Sequence, residues 1–388
     1  MQFQWHIGVA LLIQGVLAVT AGETDGDRVD ALPDPFRFND GTRVGNRHDW
    51  ELRRTEITEL LLDIQYGQLP DDPGTVSIVS SEPDESIYND RVRRRKVTLA
   101  WGPKQQVRQT LTIDFPVESS GPCPLILRIG DGEPDPGAGA QRGYIFASFN
   151  HREMDPDPDG KDFKGPVQEA YPDDLAWGSI AVWAWSASRA LDYLLTLPEV
   201  DPARTVITGH SRCGKAALLC GALDDRFVIV APNGSGCGGA GTYRIQGEGS
   251  ETLEAITRTD RFAAWFHPDF RRFAGREEEL PFDQHFLRAL VAPRAVISTD
   301  ALSDHWANPK GTQAAYQAAQ PVFDFLGVSQ NNALHFREGG HAFNAEDYGA
   351  LLDFMEAFFE GQSPGESYRE LPFPYFQPEL PWLDTIPG

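Results

Sequence analysis

Apolar strand-like runs alternating with helical patterns predict an α/β fold with a doubly wound, largely parallel sheet. Three observations carry this expectation. CPLILRIGDG (123–132) and GYIFASFN (143–150) are continuously apolar, as strands covered on both faces are. From residue 177 onward, helix and strand patterns follow one another. The chain has 388 residues and is 41% hydrophobic, enough for a sizeable core in one large domain or two ordinary ones.

In chain order, residues 22–47 are polar and read as an extended lead-in. HDWELRRTEITELLLDIQYGQLP (48–70) has helical periodicity and stops at Gly67 and Pro70. RRKVTLAW (94–101) and VRQTLTIDFPV (107–117) alternate like a hairpin of half-buried strands. Helices are expected over 177–197, 213–223, 311–327 (with Pro321 inside) and 345–361, and strands over 205–210, 227–234, 293–300 and 333–341. The main domain is thus 48–361, and the Pro- and aromatic-rich residues 362–388 form an irregular surface strap.

A net charge of −23 argues against nucleic acid, since phosphate backbones would be repelled. Cys123, Cys213, Cys220 and Cys237 show neither C-x-x-C nor metal spacing; burial as small apolar residues is favoured over a single bridge. An apolar run from Ile7 to Val19 precedes Val19-Thr20-Ala21, which reads as a signal peptide over 1–21 and a secreted or periplasmic protein, although no Lys or Arg precedes the run. A buried N-terminal segment is the alternative. The run is short for a membrane span. DPDPDGKD (155–162) opens like a calcium loop, but Pro166 stands where a bidentate Glu is needed, so it reads as an acidic surface loop and no metal is expected.

The chemistry centres on TGHSRCGKAALL (208–219). Ser211 lies between an apolar strand and a small-residue helix, the setting of a nucleophile elbow. Gly209 fits G-x-S-x-G, but the second glycine comes one residue late, at Gly214. A serine N-cap is the plainer reading of the motif alone. Chain order favours the nucleophile: His341, in REGGHAF, follows the last strand, where the general base belongs. Asp300 and Asp304 both follow the penultimate strand, and order alone does not separate them. Arg212 would supply the oxyanion donor. Lys215 lies four residues after Ser211, on the same helical face. Two such cations point to an oxygen-rich or acidic substrate, unless they are only solvated charges at a helix start.

GHSRCGKAAL resembles the G-x-S-R-x-G-K signature of glucuronoyl esterases, carbohydrate esterase family 15, whose second glycine is displaced in the same way. WGSIAVWAWSASRALDYLL, NGSGCGGAGTYR, ELPFDQHFLRALVAPRAV and SDHWANPKG resemble segments of the bacterial branch in family order, and the likeness runs over roughly 45–360. The resemblance implies a three-layer α/β-hydrolase fold and a serine esterase cleaving esters between 4-O-methyl-glucuronic acid of xylan and lignin-type alcohols. By matching motif, Ser211 is the nucleophile, His341 the base and Arg212 the oxyanion residue. Lys215, Glu251 in GSETLEAI and Trp306 in SDHWANP become substrate contacts. Many members carry a Glu after the strand that follows the nucleophile helix; Gly234 stands there in this chain. The acid then matches the bacterial alternative, Asp304. No cofactor is implied; the partners expected are uronic-acid-bearing polysaccharide or oligosaccharide esters, with neither membrane nor nucleic acid, and a monomeric protein. An acetyl xylan esterase, or a weakly catalytic uronate-binding relative, is the competing reading.

Overall fold

The hairpin foreseen at 94–117 is the strand pair β3 (Val92–Trp101) and β4 (Val107–Pro116), in register from Val92 opposite Pro116 to Trp101 opposite Val107. The computed structural model describes residues 31–71, 74–131, 137–156 and 164–386. The expected signal peptide (1–21) and most of the acidic loop around Asp159 lie outside the described residues.

Eight further strands complete one sheet: β1 (Ser77–Ser81), β2 (Glu85–Ile87), β5 (Cys123–Ile129), β6 (Ile145–Phe149), β7 (Val200–His210), β8 (Ile229–Asn233), β9 (Ala295–Ala301) and β10 (Asn332–Arg337). The spatial order is β1-β3-β4-β6-β5-β7-β8-β9-β10, with β2 paired to β3. Pairing is antiparallel from β1 to the β4–β6 contact and parallel from β6 through β10. Every residue of β5, β8 and β9 is buried. Helices cover both faces there, which is why these strands read as unbroken apolar runs. On one face the helix Ser179–Leu194 is buried except at Trp185 and Asp192. The fold is the mostly parallel α/β architecture expected.

Several elements differ from the sequence reading. β1 is wholly exposed and Ser-rich, and β2 is only three residues long, so neither carries an apolar pattern to read. β7 begins at Val200, earlier than the apolar run at 205–210. The helix Pro309–Phe325 starts and ends two residues before the expected bounds, and it passes through Pro321 without a break. Between β8 and β9 the chain makes short helices such as Leu253–Ile256 and Gln284–Ala289, too short for periodicity, around buried Trp265, Phe266, Phe270 and Phe273.

The C-terminal strap is held down. Trp382 donates its indole N–H to Leu32 O (3.0 Å), and Leu32 N donates to Glu379 O (3.1 Å). All four cysteines are buried and unpaired. Among the described residues, no helix is long and apolar enough to cross a membrane.

Candidate active site

β7 leaves the sheet at His210, and the chain turns directly into the helix Arg212–Leu223. At the turn, Ser211 has φ 58° and ψ −124°. Such a backbone costs a non-glycine residue about 1–3 kcal/mol, and its neighbours must hold it. Ser211 N donates to Asn233 O (2.9 Å), and Lys215 N donates to Ser211 O (3.1 Å). The motif's glycines stand where backbones pass closely. A Cβ on Gly209 would lie 2.3 Å from Cys213 O, and one on Gly214 would lie 2.9 Å from Asn233 O. The close approach falls at 214, so position 213 tolerates a side chain, and Cys213 is buried beside Gly130.

His341 sits between β10 and the helix Ala345–Phe359. Its Nδ1 is 2.6 Å from Asp304 Oδ2. Asp304 Oδ1 accepts from Ala307 N (3.3 Å), which fixes the carboxylate. An ionised carboxylate can only accept, so Nδ1 carries the proton and Nε2 is the nitrogen left for chemistry. Ser211, Arg212, His341, His210 and His151 line one cavity of about 280 Å³. No hydrogen bond joins Ser211 to His341 among the described residues; such contacts often tighten only with substrate bound.

Asp300, the other acid open on chain order, lies inside β9 opposite Phe336 of β10. Neither of its carboxylate oxygens has a hydrogen-bond partner. Burial first, then the charges of Asp304 and Asp347, push it well above the usual carboxylate range. The imidazole is met by Asp304, past the strand end. Gly234, at φ 48°, faces the same place: a Cβ there would lie 3.6 Å from Asp304 Oδ2.

The remaining expected site residues are placed as follows. The Arg212 guanidinium lies over the rings of Trp265 (5.0 Å) and Phe262 (5.8 Å). Lys215 does not line the Ser211 cavity. Its side chain is 2% exposed, and its three donors go to Glu251 Oε1 (2.5 Å), Ser235 O (2.7 Å) and Cys237 O (2.5 Å). The solvated-charge alternative for Lys215 is therefore incorrect. Glu251 is its buried counter-ion, and burial pushes that carboxyl up against the opposing pull of Lys215. Glu251 N also donates to Trp306 O (3.0 Å), and the Trp306 side chain is left 44% exposed.

Two histidines went unread in the sequence. The His210 ring lies 4.5 Å from the His341 ring, tilted by 40°. His210 Nδ1 is 2.6 Å from Asn233 Oδ1, and Asn233 Nδ2 donates to Thr299 O (3.0 Å) and Oγ1 (2.8 Å). Burial, then the nearby His341, push His210 down to about 4. His151 packs edge-on against Trp183 (4.6 Å) and is likewise pushed down to about 4, by burial and then by Arg152 and Arg212. Both are neutral at pH 7. The signal for His210 was its place directly before the serine; His151 had none.

Known proteins resemble this chain in sequence and in fold. A family model described as glucuronyl esterase, fungi, matches residues 100–327. A 4-O-methyl-glucuronoyl methylesterase of Podospora anserina is 30% identical over 87% of this chain and 69% of its own length. Carbohydrate esterase MZ0003, from an unknown prokaryotic organism, is 29% identical over 85% of this chain and 90% of its own. The family 15 glucuronoyl esterase of Caldicellulosiruptor kristjansonii superposes with a TM-score of 0.77 at 31% identity, covering 89% of this chain and 94% of that one. The chain belongs to the glucuronoyl esterases of carbohydrate esterase family 15.

Proposed function

We propose that the chain is a serine esterase hydrolysing the ester between 4-O-methyl-glucuronic acid of xylan and lignin-type alcohols. The observation that carries this reading is the 2.6 Å His341–Asp304 contact beside a strained Ser211 on the same cavity wall. A relative from Sporotrichum thermophile, 25% identical with a TM-score of 0.75 over 94% of this chain and 98% of that one, was solved as a serine-to-alanine variant with methyl 4-O-methyl-β-D-glucopyranuronate. That supports the same acyl group here.

In the reaction, His341 Nε2 takes the Ser211 proton as Oγ attacks the ester carbonyl. The backbone N–H of Arg212, at the helix start, and its guanidinium stabilise the oxyanion. The tetrahedral adduct collapses, and His341 gives its proton to the departing alcohol. Water, deprotonated by His341, then attacks the acyl-enzyme and releases the uronate and Ser211. Asp304 keeps the proton on Nδ1 and stabilises the imidazolium. Trp306 offers an exposed ring to the sugar. Lys215 and Glu251 give that side of the site its shape and its oxygen-directed polarity, the ammonium reaching substrate only by exchanging one of its present acceptors. The apolar run at Ile7–Val19 supports export, checked by N-terminal sequencing of secreted protein.

The test is hydrolysis of benzyl glucuronate by the wild type and by Ser211→Ala, beside acetylated xylan as a second substrate. The expected loss in kcat is on the order of 10⁶-fold. Activity retained in Ser211→Ala would remove the nucleophile assignment. Preference for the acetyl ester would move the substrate class.

A further inference from the structure

Arg337, the last residue of β10, is a buried cation enclosed by the loop that carries His341. Its Nη1 donates to Glu338 O (2.9 Å), and its Nη2 donates to Gly340 O (3.2 Å) and Ala342 O (2.7 Å). The two Nη2 acceptors belong to the residues immediately before and after His341. Nε donates to Asp347 Oδ2 (2.7 Å), and the same oxygen accepts from Asn344 N (3.0 Å) at the start of the final helix. The loop is shaped to fit the guanidinium: Gly339 has φ 98°, and a Cβ there would lie 3.1 Å from Arg337 Nη1. Two backbone bonds carry the arrangement toward the acid. Leu302 N donates to Arg337 O (2.9 Å) and Ser303 N to Gly339 O (3.0 Å), just ahead of Asp304.

A buried charge costs several kcal/mol unless it is paired and hydrogen-bonded. An apolar side chain would avoid that cost, but it would leave three converging carbonyls of one short loop without this donor, at about 1–3 kcal/mol each where they stay dry. A five-donor planar fork can bind three carbonyls and a carboxylate at once; a lysine cannot match that geometry. We infer that Arg337, clamped by Asp347, is a positioning residue that sets the backbone on both sides of His341 and so places Nε2 over Ser211. This rests on reading His341 as the general base. Displacement of a catalytic group by about 1 Å costs on the order of 100-fold in rate.

The experiment uses the full chain with Arg337→Met, Arg337→Lys and Gly339→Ala, with thermal unfolding to establish which variants fold. Two readouts are taken: kcat and KM on benzyl glucuronate, and the rate at which a fluorophosphonate labels Ser211. Arg337→Met is expected to lose about 100-fold in kcat with KM nearly unchanged, labelling falling in step, and Arg337→Lys to recover part of both. A folded Arg337→Met with wild-type kcat and labelling, or a loss confined to KM, overturns the inference. If Arg337→Met does not fold, Gly339→Ala decides on the same criteria, because it crowds the loop and leaves the cation in place. Should the wild type label but not cleave the glucuronate, the substrate reading fails while the labelling rates still judge Arg337.

Discussion

β1–β4 and β5–β10 belong to one sheet but use their polar side chains differently. On the antiparallel side, charges pair in place: partly exposed Arg94 with buried Asp114 directly across β3 and β4, and Arg93 and Arg95 of β3 with Asp84 just before β2. On the parallel side the strands are largely buried, and the proposed catalytic residues Ser211, Asp304 and His341 lie just beyond the C-terminal ends of β7, β9 and β10. The reason is geometric. Parallel strands all deliver their C-terminal ends to one rim, so loops from distant parts of the chain meet there, as in other open α/β sheets. Antiparallel neighbours alternate direction and gather no such rim.

The largest effect expected from this comparison, after loss of Ser211 itself, is at Asp304. Asp304→Asn should lower kcat by about 10⁴-fold, since an amide can present its N–H to Nδ1 and hold the wrong tautomer. Adding Gly234→Glu to that variant offers a second acid, because position 234 directly follows β8 and a Cβ there would lie 3.6 Å from Asp304 Oδ2. Partial recovery of kcat is expected, limited by the φ of 48° imposed on a non-glycine residue. A near-normal rate for the single variant would place the acid elsewhere and break the account of the rim.

Inside β9, Asp300→Asn should act on stability and not on chemistry. Its folded-state pKa is raised above the unfolded value near 3.8. A raised carboxyl contributes stability below about pH 3.8 and loses it as pH rises toward its folded pKa. At pH 7 the wild-type side chain is therefore a liability, and Asp300→Asn should unfold at higher temperature than wild type, the difference shrinking on acidification. kcat should stay near the wild-type value. A large loss of kcat in a folded Asp300→Asn would show that the β9 interior takes part in the reaction.

The contrast between Asp300 and Asp304 also marks how far the sequence could be read. The apolar runs of β5, β6, β8 and β9 were legible because burial on both faces leaves no alternation to misread. Ser211 and His341 were legible because a strand–glycine–helix junction and a glycine-flanked histidine carry local signals. Asp304 was separable from Asp300 only through family likeness; which of two acids passes the strand end depends on where β9 stops, and element boundaries are the weakest part of any sequence reading. Lys215 and Glu251 could be named, but their burial as a pair follows from the fold of residues 234–294, where no helix is long enough to show its period. His151 was invisible, since it gains its surroundings from Trp183 and Arg212, distant in the chain, and Arg337 was invisible because its acceptors are mostly backbone carbonyls of the loop that folds back on it, which no side-chain pattern announces.

The smallest effect belongs to the antiparallel edge. Asp84 accepts from Arg95 Nε (2.9 Å) and Nη2 (3.1 Å), with Arg93 also at 2.5 Å. The Arg95 hydrogen bonds chiefly, against the opposing effect of burial and with help from Arg93, hold its carboxyl down at about 2. These side chains are 25–32% exposed, so solvent screens much of the attraction. Asp84→Asn should cost about 0.2–1 kcal/mol at pH 7. The sign with pH is opposite to that of Asp300: a depressed carboxyl contributes above about pH 3.8 and loses the contribution as pH falls toward 2. Urea unfolding of wild type and variant should thus converge at low pH, with kcat on benzyl glucuronate unchanged throughout. A fall in kcat would mean that the antiparallel edge is coupled to the rim, and the division between the two halves of the sheet would not hold.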